Sequence, residues 1–371
     1  MEFRIARDSF QRALQKVQGI VERRNTMPIL SNVLIEAEGD RIDMTATDLE
    51  VGMKSSYATQ VVTPGKITVS AKKLYEIIKE LPDQEITFST RENDWVEVRC
   101  GKAQFSLVGL SPEEFPYFPQ VRDENFVELE NGLIRRMIDE TSYAICNDET
   151  KFNLNGIFTQ AAEENGSPKL RMVATDGHRL SLVCKPVGNA PPAGLARGVI
   201  LPRKGVFELR KMAEEEGSLE LGFMDNSAVI RKGDTVVVMR LVDGDFPDYG
   251  RVIPTSNDRR VPVDRNDFLH SLRRMSILSS DKYKGIKLDI RSGNIEISSS
   301  NPELGEARED LETDYQGENV VLRFNAKYLI DVLSTLEEEQ VELALKDELS
   351  PAIVRSRNDD DFLAVIMPMR L

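Results

Sequence analysis

The chain has 371 residues, of which 40% are hydrophobic, and it carries a formal net charge of −14 at pH 7. This length predicts two or three domains, each with enough apolar residues to form a core. No run of about 18 apolar residues occurs, and Met1–Arg4 leads directly into a strand-like pattern, which argues against a spanning helix and a signal peptide. We therefore expect a soluble, cytoplasmic protein with no membrane partner. Its average charge argues against nucleic-acid binding.

The cysteines and histidines do not form a recognisable metal or disulfide pattern. Cys100, Cys146 and Cys184 are odd in number and far apart in the sequence. They are predicted to be reduced core or half-buried thiols. With only two histidines, His178 and His270, a zinc site is not expected. No metal or other cofactor is predicted.

The first stretch of the chain predicts a helix, a strand that ends in a bend, and a second helix. Phe10 and Leu14, at positions i and i+4, seed the first helix. Met44–Thr47 is a strand that runs into a polar bend at Asp48, and a second helix begins at Ser70-Ala71-Lys72 after a cap-like serine. Alternating apolar and polar residues predict antiparallel strands around 41–44, 67–69, 86–88, 96–98 and 105–107.

The same signals recur twice along the chain in the same order. The second set is Leu133 and Met137, the strand 172–175 with the bend at Asp176, and the helix start Pro202-Arg203-Lys204. The third set is Phe268 and Leu272, the strand 297–300 with the bend at Asn301, and the helix start Asn325-Ala326-Lys327. The spacing of roughly 125 residues matches a whole small domain rather than a solenoid repeat. We therefore predict three similar domains, at 1–125, 126–254 and 255–371.

Single helices among many short strands indicate an α+β domain, with two helices covering one face of an antiparallel sheet. Glu114-Phe115-Pro116 and Asp245-Phe246-Pro247 close the first two repeats alike. The third repeat stops instead at Met367-Pro368-Met369-Arg370-Leu371. This difference suggests that the terminal segment has a purpose other than linking domains.

Charge is distributed unevenly, which qualifies the argument from net charge. Basic residues concentrate around the paired helices of all three repeats, and acidic runs lie elsewhere, such as Glu214-Glu215-Glu216 and Glu337-Glu338-Glu339. A single charged run is usually a solvated face. Its recurrence in three repeats favours one shared basic surface.

Several motifs in this order resemble the bacterial sliding clamps, the beta subunits of replicative DNA polymerase III. They span the whole chain and are Asn25–Leu30, Asn153-Leu154-Asn155-Gly156, Ala174–Leu180, Pro202–Gly205, Leu241–Tyr249 and Met367–Leu371. The resemblance implies a DNA clamp fold in which two copies join head to tail into a ring of six domains, with helices lining the pore. It implies a processivity factor that slides on double-stranded DNA without reading its sequence.

The resemblance also implies which basic residues face the DNA. These are Arg24, Lys72, Arg135, Lys151, Arg203, Lys204, Arg273 and Lys327. Lys72, Lys204 and Lys327 stand at predicted helix starts, where the helix dipole disfavours a cation. A structural role is the alternative for each of them, and their recurrence at this place in all three repeats favours the functional role. The chain departs from the family pattern just before Leu154, with Lys151, Phe152 and Asn153, which leaves open whether Phe152 stacks on a template end.

A second implied site is a hydrophobic cleft between the second and third domains. It would bind short linear motifs of the DNA polymerase III alpha subunit, the clamp loader, other polymerases and repair proteins. Its residues are Leu154, Thr175, Gly177, His178, Arg179, Leu180, Pro247, Arg251, Val252, Tyr328, Val365, Met367, Pro368, Met369 and Arg370. Methionine and leucine walls adapt to varied apolar side chains, whereas Leu154 and Val252 could equally be ordinary core.

The resemblance further implies a homodimer seam. Phe105 and Leu107 of the first domain would face Ile277 and Leu278 of the third domain of a second copy, with Lys102 opposite the acidic run Glu303–Glu309. Such apolar residues could instead belong to the core of their own domain.

Catalysis is the main alternative, because Asp176-Gly177-His178-Arg179 could supply a general base. The equivalent bends lack a histidine, and no nucleophile elbow, P-loop or HExxH motif is present. Asp48 and Asp176 are better explained as turn residues, so the chain is predicted not to be an enzyme. A hydrolase and a monomeric multi-domain adaptor remain the rival functions.

Overall fold

The computed structural model describes residues 1–21, 27–121, 126–188, 191–278, 285–357 and 360–369. Arg24 and Arg370, two of the predicted site residues, lie outside the described residues. In the described ranges, no helix combines the length and the apolar composition needed to cross a membrane.

The described part of the first repeat contains two α-helices and nine strands. In chain order its elements are β1 (Glu2–Ala6), α1 (Arg7–Val17), β2 (Asn32–Glu38), β3 (Arg41–Thr47), β4 (Val51–Ala58), β5 (Gln60–Thr63), β6 (Gly65–Ser70), α2 (Ala71–Glu80), β7 (Glu85–Thr90), β8 (Trp95–Cys100) and β9 (Ala103–Leu110).

The second repeat follows the same order with one strand fewer. Its elements are β10 (Val127–Glu130), α3 (Asn131–Ser142), β11 (Gly156–Glu164), β12 (Ser167–Thr175), β13 (Arg179–Pro186), β14 (Val199–Pro202), α4 (Arg203–Met212), β15 (Ser218–Met224), β16 (Ser227–Lys232) and β17 (Thr235–Arg240).

The third repeat has the same sequence of elements as the second. They are β18 (Arg259–Asp264), α5 (Arg265–Ser276), β19 (Gly285–Arg291), β20 (Asn294–Asn301), β21 (Gly305–Glu312), β22 (Val320–Asn325), α6 (Ala326–Thr335), β23 (Gln340–Leu345), β24 (Ala352–Ser356) and β25 (Phe362–Ile366). The threefold α+β pattern read from the sequence is confirmed.

Local signals explain why the elements begin and end where they do. At the start of α2, the Ser70 hydroxyl accepts a hydrogen bond from the Lys73 amide at 3.4 Å, and Asn325 Oδ1 accepts from the Lys327 amide at 3.1 Å at the start of α6. Each cap satisfies a backbone donor that the helix leaves unpaired. The predicted seeds Phe10 and Phe268 are completely buried, because they lie on the apolar faces of α1 and α5.

The three polar bends close through their own side chains. Asp48 and Asp176 each accept hydrogen bonds from the backbone amides two and three residues later, at 2.7 to 3.0 Å. Asn301 accepts from the amide two residues later at 3.0 Å. The prediction that these residues turn the chain is therefore confirmed.

The chain folds into two compact units, each containing segments from more than one repeat. Unit 1 consists of Met1–Asn131 and Phe207–Leu241, and unit 2 of Gly132–Val206 and Val242–Leu371. Unit 1 contains a 13-stranded sheet in the order β10-β15-β16-β17-β4-β3-β2-β6-β9-β8-β7-β1-β5. Unit 2 contains an 8-stranded sheet, β14-β11-β12-β13-β25-β24-β23-β18, and a 4-stranded sheet, β21-β20-β19-β22.

Neighbouring repeats share a sheet at two junctions. At the first junction, in unit 1, β4 of the first repeat pairs antiparallel with β17 of the second. At the second junction, in unit 2, β13 of the second repeat pairs antiparallel with β25 of the third. In both cases the strand after the polar bend pairs with the last strand of the next repeat. This exchange explains why the compact units do not coincide with the repeats.

One further strand that follows a polar bend, and one further strand that ends a repeat, each have an open edge. Strand β21, which follows the bend in the third repeat, pairs only with β20 among the described residues. Strand β9, the last of the first repeat, pairs with β8 over Ala103–Val108 but with β6 only at Gly109 and Leu110. Open edges expose unpaired backbone donors and acceptors, so both strands can accept another strand.

The three cysteines are free thiols. Cys100 and Cys146 are buried and Cys184 is half-buried, as the sequence predicted.

Candidate DNA-facing residues and partner cleft

An apolar cluster in unit 2 forms the base of the predicted cleft. Val173, Leu180 and Val365 lie on β12, β13 and β25, are at most 2% exposed, and pack together. Leu180 and Val365 are direct cross-strand neighbours at the second junction. Because both are buried, they support the surface from beneath.

Aromatic residues outside the set of predicted site residues complete this cluster. Phe158, Phe246 and Tyr249 pack against its buried core, with stacked Phe158 and Phe246 rings whose centroids lie 5.1 Å apart. Phe246 and Tyr249 occur in the motif that ends the second repeat, next to the predicted residue Pro247. Their presence in this motif was the signal that could have found them.

The bend that leads into β13 is held by hydrogen bonds. Thr175 Oγ1 donates to the Arg179 carbonyl at 2.7 Å and accepts from the Gly177 amide at 3.1 Å. Gly177 has φ +90°, a left-handed conformation that disfavours other residues. Asp176 is occupied by the backbone amides of this bend, so it supplies structure rather than an acid-base partner for His178.

The segment after β25 runs along this bend. The Met367 amide donates to the His178 carbonyl at 3.0 Å, and the Met369 amide donates to the Arg323 carbonyl at 2.8 Å. Both methionine side chains remain 41% exposed. The backbone is thus fixed while two flexible apolar side chains are presented to solvent, which suits an adaptable binding surface.

Arg179 is buried and forms a cross-link between three segments. Its guanidinium donates to Asp176 Oδ2 at 3.0 Å, to Asp331 Oδ2 at 2.6 Å and to the Tyr143 carbonyl at 2.5 Å. It also lies over the Tyr328 ring, 4.6 Å from the centroid. Burial raises the pKa of the Tyr143 hydroxyl, which marks the low polarity of this region.

The remaining predicted cleft residues lie on several different elements: Leu154, Arg251 and Val252 on short 3-10 helices, Thr175 at the end of β12, Tyr328 on α6, and Pro247 and Pro368 outside regular elements. Pro247, Arg251 and Val252 are exposed, and Arg251 Nε lies 2.9 Å from Asp248 Oδ2. Leu154 is half-buried, as are Thr175, Tyr328 and Pro368. For Val252 the exposure rules out the core alternative. Direct contact of these residues with a partner stays a prediction.

The described candidates for DNA contact lie on helices or just before them. Lys72, Arg135, Arg273 and Lys327 are exposed on α2, α3, α5 and α6, respectively. Lys72 Nζ lies 3.8 Å from Glu76, and Arg273 Nη2 donates to Ser334 at 3.3 Å.

Lys151, Arg203 and Lys204 lie in unit 2. Lys151 is exposed beside the cleft bend, with its Nζ 3.9 Å from the point that a Cβ on Gly177 would occupy. Arg203 is exposed and bonds to Asn147, while Lys204 is half-buried. Phe152, next to Lys151, is exposed.

The predicted seam residues are accessible. Phe105 is 39% exposed on β9 and Ile277 is 74% exposed after α5, which rules out the core alternative for both. Leu107 and Leu278 are half-buried. Arg274 on α5 donates to the Glu309 carboxylate on β21, and this hydrogen bond holds the pKa of Glu309 below its ordinary value.

The first junction has the same backbone arrangement as the second but different side chains. There the Arg240 amide donates to the Glu50 carbonyl at 2.8 Å, as Met367 does to His178 at the second junction. Charged residues therefore replace the methionine and the histidine.

Among the described residues, no group of three or more histidine, cysteine, aspartate or glutamate side chains could hold a metal ion.

Repeated domains that share strands at each junction, with basic helices and an apolar cleft, define the class of DNA clamps. Models of the DNA polymerase III beta subunit match the chain throughout: the N-terminal domain at residues 1–119, the central domain at 128–248 and the C-terminal domain at 250–370.

Relatives and solved structures agree with these matches. The beta sliding clamp of Pseudomonas aeruginosa is 38% identical and that of Escherichia coli 33% identical, with all of both chains covered in each comparison. A Bartonella birtlesii sliding clamp bound to griselimycin matches with a TM-score of 0.94 at 36% identity, again over all of both chains. The chain belongs to the DNA polymerase III beta subunit family. It is a non-enzymatic processivity factor with the three-domain α+β clamp fold.

Proposed function

We propose that two copies of this chain close head to tail around duplex DNA and hold replication and repair proteins there through the second-junction cleft. The partners in this proposal are the DNA polymerase III alpha subunit, the clamp loader, other polymerases and repair proteins, each binding by a short linear motif. We also propose domain boundaries at 1–125, 126–254 and 255–371, and a cytoplasmic location.

The strand exchange between repeats supports ring closure most directly. The strand after each polar bend pairs with the last strand of the next repeat at both junctions. The same rule, applied once more, pairs β21 of one copy with β9 of a second copy. Both strands have an open edge, so head-to-tail pairing covers the two edges at once.

The repeats also predict the register of that seam. Gly52 faces Val238 at the first junction and Leu180 faces Val365 at the second, each just beyond the bend. In the third repeat the equivalent residue is Glu306, which faces Ser300 across β20. Val238 is the fourth residue of β17 after its hairpin turn, and the fourth residue of β9 is Ser106. Glu306 of one copy should therefore lie opposite Ser106 of the other.

This register can be tested by cysteine cross-linking. The double substitution Ser106→Cys with Glu306→Cys should give a covalent dimer in high yield on oxidation, because side chains of facing residues lie about 4.5–5.5 Å apart between Cβ atoms. Non-reducing electrophoresis measures the yield. Light scattering of the unmodified protein should give about twice the chain mass of 41.8 kDa.

The matched control combines Ser106→Cys with Ala307→Cys. A shift of one residue places the second cysteine on the opposite face of the strand, so little cross-linking is expected. Equal yields from the two pairs would contradict the register, and a monomer mass in solution would contradict the ring.

The basic residues support DNA binding without sequence specificity. We assign phosphate contacts to Arg24, Lys151, Arg203 and Lys204, with Lys72, Arg135, Arg273 and Lys327 adding to the field. Lys327 is exposed at the start of α6, where the helix dipole disfavours a cation, so its position is better explained by an external anion. Because a closed ring cannot dissociate sideways, these contacts can be weak, and a duplex can slide past them.

The apolar cluster and the two exposed methionines support a peptide site at the second junction. Leu180 and Val365 form a rigid base, and Met367 and Met369 can adapt to varied apolar side chains. Sliding clamps of Bartonella birtlesii and Pseudomonas aeruginosa have been solved bound to griselimycin. We propose that griselimycin binds this cleft too, which makes it a probe that requires no partner protein.

A further inference from the structure

We propose that Asp331 on α6 is a positioning residue for the partner cleft, which it shapes through Arg179 without touching the partner. This inference depends on the cleft proposed above. The observation that carries the inference is the buried guanidinium of Arg179, which joins Asp331, the bend that leads into β13 and the segment after α3.

The first step is the chain of contacts from Asp331 to the cleft bend. Asp331 Oδ2 accepts from Arg179 Nη1 at 2.6 Å, and Asp176 Oδ2 accepts from Arg179 Nε at 3.0 Å. The Tyr143 carbonyl accepts from the remaining nitrogen. All three guanidinium nitrogens thus have a partner within the protein. Arg179 is only 8% exposed, so it has little surface left for a bound peptide.

The second step concerns Tyr328, one turn before Asp331 on α6. The Arg179 guanidinium lies 4.6 Å from the Tyr328 ring centroid, and the His178 ring stacks on Tyr328 with centroids 6.5 Å apart. The bend therefore rests on α6 through two side chains. The ion pair with Asp331 fixes the guanidinium over this ring, because a planar donor fork allows one orientation with both carboxylates bound.

The third step leads to the partner surface. The His178 carbonyl accepts a hydrogen bond from the Met367 amide. The position of the bend therefore determines the position of the methionine strip, which consists of Met367 and Met369. Without Asp331, the guanidinium would keep its contacts with Asp176, the Tyr143 carbonyl and the Tyr328 ring, but it would lose the ion pair that joins it to α6. Leaving a buried cation with fewer partners favours a rearrangement of the bend. The methionine strip would then be less well preorganised for a partner.

The test measures griselimycin affinity of the full-length dimer by calorimetry. Asp331→Ala should raise Kd by about tenfold, as expected for the loss of a hydrogen bond between charged groups. Asp331→Asn keeps an acceptor oxygen without the charge and should raise Kd by about threefold, since neutral hydrogen bonds are roughly half as strong. Glu348→Ala, an exposed carboxylate in the β23–β24 turn, should leave Kd unchanged.

A double-mutant cycle separates positioning from direct contact. Arg179→Lys keeps the charge but cannot bind all three partners, so it should weaken binding as Asp331→Ala does. Combining the two should add little, because both remove the same link. If the losses of griselimycin binding free energy in the two single variants add fully in the double variant, the proposal is overturned.

The outcomes distinguish this inference from the cleft itself. Failure of the unsubstituted protein to bind griselimycin would refute the cleft as its site. Binding by the unsubstituted protein, with Kd unchanged in both Asp331 variants, would refute the positioning role alone. If Asp331→Ala does not fold, Asp331→Asn decides: a threefold rise supports the proposal and an unchanged Kd overturns it.

Discussion

Protein loaded onto a nicked circular duplex should stay bound through gel filtration, and should be lost when a single cut makes the duplex linear. We expect retention on the circle to exceed retention on the linear molecule by about tenfold or more at physiological salt, where phosphate contacts alone are weak. The physical reason is topological: a closed ring leaves a circle only by opening its seam, but it leaves a linear duplex by sliding off an end.

Two controls separate topology from affinity. Blocking both ends of the linear duplex with a bulky bound protein should restore retention. Cross-linking both seams through Ser106→Cys and Glu306→Cys before loading should prevent loading onto the circle. Equal retention on open linear and circular DNA would refute the ring, and would favour an adaptor that binds DNA from one side.

The second large effect is expected at the methionine strip. Met367→Ala combined with Met369→Ala should weaken griselimycin binding about 30-fold and abolish stimulation of the polymerase. Each side chain is 41% exposed and would become buried under a partner, which is worth about 1 kcal/mol per residue. The backbone hydrogen bonds of both residues remain possible with alanine, so the fold should be preserved.

The matched control is Arg240→Ala, the equivalent of Met367 at the first junction. It should leave griselimycin affinity unchanged, and the methionine variant should still form a dimer by light scattering. Unchanged polymerase stimulation by the double alanine variant would contradict the assignment of this strip. Deleting residues 367–371 should have an effect at least as large as the double substitution.

The repeated fold could be predicted because its signals are local. Ser70 and Asn325 cap helices with their own side chains, and Asp48 and Asp176 fold the chain back through amides two and three residues away. Such interactions involve only residues that are close in the sequence, so they can be predicted from the sequence alone. The order of elements in all three repeats follows from them.

The candidate site could be predicted only in part. The sequence motifs placed Leu180, Met367 and Met369 in one site. The structure brings Leu180 and Met367 together at the second junction, and their contact with a partner stays a prediction. They did not indicate that Leu180 would be buried as a support, or that Arg179 would be occupied by Asp331, about 150 residues away. Phe246 and Tyr249 were missed as site residues because an aromatic residue after a strand is more often core.

The amino-acid sequence by itself determined the threefold unit, the concentration of cations around its helices and the residues that break the pattern at the chain's last strand. Only the tertiary structure decided that the second and third repeats each donate their last strand to the sheet of the repeat before, and that β9 and β21 keep open edges. Strand partners that lie more than 100 residues apart meet through long-range packing, which leaves no mark on local composition or periodicity.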